Sequence, residues 1–181
     1  MTSSPPEICL DSQCVSYVID ALKDLVEPTD KLAEQKIALV RSYFYIAGTF
    51  WTTPTVVREV EAIRNPERKA EHDSWRGFNF PAGQPNDPEA VKRRADELET
   101  FHAGINDRLI LAEAEDIGFS TLLSFDGDFV KHLGNQARRL TLTTPAAFWE
   151  SRAIPRGAPR KTEPTYDNPL AGQTWWRWDA P

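Results

Sequence analysis

Residues 106–129 read NDRLILAEAEDIGFSTLLSFDGDF, and the order of signals in that stretch decides the fold. Asp107 opens a helix, Gly118 stops it, Thr121 to Ser124 make a short apolar strand, and Asp126 and Asp128 follow at its carboxyl end. A helix leading through a glycine into so short a strand is the repeating unit of a parallel sheet, since parallel neighbours need a long crossover. In such sheets ligands and catalytic groups collect at the carboxyl ends of the strands. The stretch therefore predicts both an α/β fold and the edge on which to look for a site.

Working outward, the same grammar recurs. Glu7 to Leu10 form a first strand that ends on Asp11, and Ser12 is placed to cap a helix reaching about residue 27, where Pro28 stops it. Thr29 or Asp30 begins a second helix to about residue 47. Gly48 breaks it, Thr49 to Thr53 form a second strand, and Pro54 suits the first turn of a helix carrying Val56, Val57, Val60 and Ile63, with Glu59 at the border of that stripe. Residues 65–89, rich in charge and proline, read as an insertion or long loop, with Trp75 and Phe78 as loop anchors or stacking groups. A helix follows from about 89 to 103, with Asp87 at its start. Beyond the opening stretch come a helix over residues 128–133, a strand over 140–143, and a last helix capped by Thr144 with Pro145 next. The expectation is a three-layer α/β/α domain over residues 7–150, with a central parallel sheet of about four to five short strands. Residues 1–6 read as a disordered start. Residues 151–181 read as a Pro- and Trp-rich extension whose Trp175, Trp176 and Trp178 pack back on the domain or on a partner.

The composition of this 181-residue chain, 40% hydrophobic and 27% charged, can bury a sizeable core. No run nears the roughly 18 apolar residues of a membrane span and no secretory signal is visible, so the expected setting is the cytoplasm. A net charge of −6 excludes a broadly basic nucleic-acid surface. It leaves room for a nuclease, because acids that hold divalent metal are themselves negative until the ion binds. Cys9 and Cys14 match no zinc or redox spacing, and His72, His102 and His132 match no ligand spacing.

Five acids stand at strand ends or helix starts: Asp11, Glu59, Asp107, Asp126 and Asp128. Each alone also reads as a cap or a solvated side chain. Together on one edge they repel unless cations lie between them, and hard ions such as Mg²⁺ or Mn²⁺ take oxygen ligands and complete their shells with water and phosphate. That chemistry points to metal-assisted attack of water on a phosphodiester. Candidate phosphate contacts are Arg64, Arg68, Lys69, Arg76, Lys92, Arg93, Arg94, Arg138 and Arg139. Glu113, within an apolar helix face, has two open roles, beside the site or bonded to a neighbouring helix.

Four segments together resemble the PIN domains, metal-dependent nucleases that include the VapC-type toxins of toxin–antitoxin pairs. ICLDSQ is similar to the first strand with its leading Asp, and TPTVVREV to the helix start carrying the second acid. NDRLILAEAEDIG matches the family's Asp, with Ile three on, Ala at five and seven, and Gly at eleven; TLLSFDGDF resembles the end of the fourth strand. The resemblance covers residues 7–150. It implies Asp11, Glu59, Asp107 and Asp126 as the metal-site acids, Ser12 and Ser124 as supporting hydroxyls, and Asp128 as an optional fifth acid. It further implies an Mg²⁺- or Mn²⁺-dependent endoribonuclease with an RNA substrate, an antitoxin partner and a homodimer. The alternatives are a PIN fold that serves as a non-catalytic interaction module, and a nuclease acting on DNA or structured RNA. Other Asp-based α/β sites fit less well. Gln13 stands where a HAD-type phosphatase has its second Asp, no strand-end Lys suits a receiver domain, and DSQCVS lacks the glycines of a dinucleotide turn.

Overall fold

Ile8, Cys9 and Leu10 are each wholly buried, as a strand must be when it has neighbours on both sides and helices on both faces. They belong to β1 (Glu7–Leu10) in a computed structural model that describes residues 7–24 and 26–179, without the side chains of Lys23, Asp24, Trp75 and Phe78. The expected disorder of residues 1–6 and the roles weighed for Trp75 and Phe78 lie outside the described residues.

Three more strands, β2 (Thr49–Trp51), β3 (Thr121–Leu123) and β4 (Thr141–Thr143), complete an all-parallel sheet in the order β2-β1-β3-β4. Residues 81–83 extend the β2 edge by a single bridge, Thr52 to Ala82, so the sheet has four strands and a fragment of a fifth. Eight α-helices are described: α1 (Ser12–Asp24), α2 (Ala33–Tyr45), α3 (Pro54–Glu61), α4 (Pro66–Asn79), α5 (Pro88–Glu97), α6 (Ile105–Ile117), α7 (Gly127–Leu133) and α8 (Pro145–Ser151). The result is the three-layer α/β/α architecture expected from the sequence. None of the described helices is long and apolar enough to cross a membrane.

Local chemistry sets most of the ends. Thr53 and Thr144 cap α3 and α8, each followed by a proline at the first position, and Gly118 closes α6 at φ 95°, a left-handed conformation that glycine adopts without strain. Several boundaries differ from the sequence reading. The second helix starts at Ala33, because Asp30 turns its carboxylate onto the Leu32 amide (2.8 Å) and Lys36 (2.5 Å), forming a turn ahead of the helix. The helix after Pro88 ends at Glu97 and relaxes into a 3-10 turn, Leu98–Thr100.

The largest correction concerns residues 65–89, which are no long loop. Most of the segment is α4, fourteen residues capped by Asn65, whose side chain accepts from the Arg68 amide, with Pro66 at the first turn. The helix carries few apolar residues and so shows no stripe; its capping pair was the readable signal. His72 on α4 is fully buried, with Nε2 3.3 Å from Asp20 of α1.

The tail joins the core. Trp176 is completely buried against Phe44 (ring centroids 4.6 Å apart), and Leu170 is buried with it. The Arg41 guanidinium donates to the carbonyls of Trp175, Trp176 and Arg177, satisfying backbone that forms no sheet or helix there. Trp178 packs edge-on against Trp149 and receives the Arg156 guanidinium on its ring at 3.8 Å.

Candidate functional site

Strand order fixes where the site lies. From β1 the chain steps to β2 on one side, then crosses back to β3 on the other and continues outward to β4. Crossovers in parallel sheets are right-handed, so reversing direction sends the connecting helices to opposite faces. A crevice is left beyond the carboxyl ends of β1 and β3, at this switch point. Asp11 follows β1 and Ser124 follows β3, both in that crevice, with the Asp11 amide donating to Leu123 O at 3.0 Å.

Asp11 is 5% exposed, and Ser124 and Cys14 beside it are wholly buried. The Asp11 carboxylate accepts from the Cys14 amide (2.7 Å) and from the Ser124 hydroxyl, which leaves it one orientation. Ser124 Oγ also accepts from the Asp126 amide (2.9 Å), so one hydroxyl ties the β1 acid to the chain of the next. Burial pushes the Asp11 carboxyl from the usual 3.8 up to about 6; the Ser124 and Cys14 hydrogen bonds pull it down, and the Asp107 charge adds to the rise.

Asp107 lies in the first turn of α6 rather than at its cap, which is Gly104. Its carboxyl is also raised, first by burial and then by the charges of Asp126 and Glu59, while His102 opposes the shift. His102 Nε2 meets Asp107 Oδ2 at 2.7 Å, a contact that the five-residue spacing did not disclose. Gly104 makes room for it: a Cβ there would fall 2.6 Å from Asp107 Oδ2 and 2.8 Å from His102 Nε2.

Glu59 reaches the same neighbourhood from α3. Its Oε1 accepts from the Asn106 side chain (2.6 Å), and its Oε2 is buried with no hydrogen-bond partner. Asp126 uses Oδ1 to cap α7, accepting from the Asp128 and Phe129 amides at 2.8 and 3.1 Å. Of the two acids that fit a cap, Asp126 is the one that caps α7, and Asp128 is an exposed first-turn residue. Ser12, the first residue of α1, lines a cleft together with Glu59.

Glu113 has a defined task. Buried on α6, it accepts from the Thr55 amide (2.9 Å) and hydroxyl (2.8 Å), with Arg58 at 3.7 Å. A carboxylate at the first turn of α3 suits that helix's dipole, and the pair holds α3, and with it Glu59, against α6. The basic residues are less available than their number suggests. Arg94 binds Glu115 and Arg138 binds Glu97, Lys69 pairs with Asp73, and Arg68 alone among these borders the cleft beside Glu59.

Asp11, Glu59, Asp107 and Asp126 therefore come from four separate segments, and Asp107 lies within electrostatic range of the other three. Among the described residues, no group of three or more His, Cys, Asp and Glu side chains is placed so that it could hold a metal ion. The oxygen-only donors, the partnerless Glu59 oxygen and the dehydrated Asp11 are nonetheless the chemistry that a hard divalent cation takes. No sequence profile of a known protein family matches the chain, and no curated protein matches it significantly.

Proposed function

We propose that the chain is a PIN-type nuclease that uses Mg²⁺ or Mn²⁺ to hydrolyse RNA phosphodiester bonds, with Asp11, Glu59, Asp107 and Asp126 as the residues that hold the ion. One observation carries the reading. Asp11 is buried at the switch point with its carboxylate fixed by the Ser124 hydroxyl and the Cys14 amide, and Glu59 brings to the same neighbourhood a buried oxygen with no hydrogen-bond partner. Perturbed acids converging in a crevice are the signature of a functional site.

When bound, the ion supplies an activated water and offsets charge on the scissile phosphate. The protein's share is orientation. Ser124 and the Cys14 amide fix Asp11, and the His102 ring fixes Asp107. Glu113 anchors the helix that presents Glu59. In this reading Ser124 acts one step back from the acid, through its hydrogen bond to Asp11. The antitoxin partner, the homodimer and the toxin role follow from the resemblance alone and share its fate.

Incubating labelled RNA with the chain tests the reading. Cleavage should require Mg²⁺ or Mn²⁺, stop with EDTA, and disappear in Asp11→Asn and Asp107→Asn while the circular-dichroism spectrum stays unchanged. Full activity in both variants would sink the assignment. The non-catalytic reading draws on the absence of a preformed enclosure among the described residues; it requires that the chain cut no RNA, DNA or duplex at any metal concentration.

A further inference from the structure

Between α2, α8 and the tail lies a pocket of about 540 Å³, whose described lining includes none of the four site acids. Ile37 and Ala38 of α2 form one wall, Ala146 and Trp149 of α8 the second, and Ile154 and Trp178 of the tail the third. The walls are pinned to one another and to the core. The Ala146 amide donates to the Gln35 side chain of α2 at 2.9 Å. Trp178 donates through its backbone amide to the Tyr45 hydroxyl (2.8 Å) and through its ring nitrogen to Ile154 O (2.9 Å). Volume and lining are those of a preformed small-molecule site, apolar and aromatic with few polar groups.

Charge decides what such a pocket takes. Arg41 lines it half-buried, with Nε and Nη2 donating to the carbonyls of Trp175, Trp176 and Arg177, while Nη1 has no hydrogen bond among the described residues. Arg156 lies over the same Trp178 ring, the two guanidinium carbons standing 4.8 and 3.8 Å from its centroid. Neither arginine forms an ion pair among the described residues. Burial first, and then the Arg156 charge, hold the Arg41 guanidinium below its usual range. Two neighbouring cations beside an apolar surface are unfavourable until an anion offsets them. Glu34 and Glu150 also line the pocket, but both are exposed, where water and salt screen them. We infer that the pocket binds a small amphipathic carboxylate, its apolar body among Ile37, Ala146 and Trp149 and its head group on Arg41 Nη1 beside Arg156. This second site is independent of the nuclease reading.

Calorimetric titration of the full chain in EDTA with phenylbutyrate tests the site, against phenylbutanol and phenylbutylamine, which keep the body and change the head group. The carboxylate should bind about tenfold more tightly than the alcohol, the margin of one charge-assisted hydrogen bond, and the amine should bind most weakly. Arg41→Gln should remove that margin. Because that change also takes a donor from three carbonyls of the tail, Arg156→Gln is the second variant. Its side chain meets the Trp178 ring at the surface, so carboxylate affinity should fall severalfold while the Tm stays nearly unchanged. Glu150→Gln should tighten the carboxylate and weaken the amine, and Lys92→Gln on α5 should change neither. The site would be overturned by no heat from millimolar phenylbutyrate, by an amine bound as tightly as the carboxylate, or by carboxylate affinity unchanged in both arginine variants. A loss in Lys92→Gln equal to that in Arg156→Gln would show attraction by overall charge alone and overturn it as well.

Discussion

The flank built by α2, α8 and the tail and the edge beyond β1 and β3 bury polar chemistry in opposite ways. On the flank most strong groups have a complement, although Ser42 Oγ, Trp175 Nε1 and Arg177 Nε are buried without one. Trp176 is sealed against Phe44, its ring nitrogen donates to Leu170 O at 3.0 Å, and Arg41 is spent on three carbonyls. At the edge, Asp11 is equally buried but its neighbours include another acid, and Glu59 keeps a buried oxygen with no partner. The flank lowers the energy of the fold and the edge raises it. A chain can hold such a cost in place when the frustrated groups have work to do, and the proposed function rests on that contrast.

Breaking the flank should give the largest loss of stability. Trp176→Ala removes a fully buried aromatic, costing about 3–5 kcal/mol. Urea denaturation should show that loss, and Mn²⁺ binding by the protein that remains folded should be unchanged. A cost under about 1 kcal/mol would mean that the tail is merely draped on the surface.

Relieving the edge should have the opposite sign. A carboxyl raised from 3.8 to about 6 favours the folded state while protonated; that contribution is whole below pH 3.8 and lost as pH rises through about 6. The Asp107 shift runs in the same direction. Asp11→Asn keeps an acceptor for the Cys14 amide and removes the charge. In EDTA it should therefore be more stable than the parent above pH 6, by up to about 3 kcal/mol, with the gap closing near pH 4. Denaturation at pH 4 and pH 7.5 checks this, and a variant less stable at pH 7.5 would contradict it.

A smaller effect should link the two kinds of region. Glu113→Gln keeps one acceptor for Thr55 and loses the charge that binds both its donors, at a cost of about 1–3 kcal/mol. Because Glu113 anchors the helix bearing Glu59, RNA cleavage should fall too, with substrate binding little changed. Loss of stability with full activity would show that the α3 anchor has no part in the site.

How far the sequence disclosed this arrangement follows from the range of each signal. Strands ending on Asp11 and before Asp126 were legible because apolar runs, glycine stops and N-terminal prolines are local. Local chemistry also held α4, but in Asn65 and Pro66 rather than in an apolar stripe, and the stripe was the signal sought. Asp126 and Asp128 both fit a cap, and only the three-dimensional turn shows Asp126 accepting both amides. The contacts of His102 with Asp107 and of Glu113 with Thr55 depend on a glycine-shaped turn and on the packing of α3 against α6, respectively. Spacing along the chain carries neither, although Glu113 on an apolar face was a mark that something had to meet it.

The central claim is that the four acids are held together for a cation. Thermal unfolding of the metal-free protein at pH 7.5, with and without millimolar Mn²⁺, tests it most directly, since an ion that binds only the folded state raises its stability. The account predicts a clear rise in Tm for the parent chain and none for Asp11→Asn or Asp107→Asn. A parent Tm unmoved by Mn²⁺, or an equal rise in all three proteins, would contradict it.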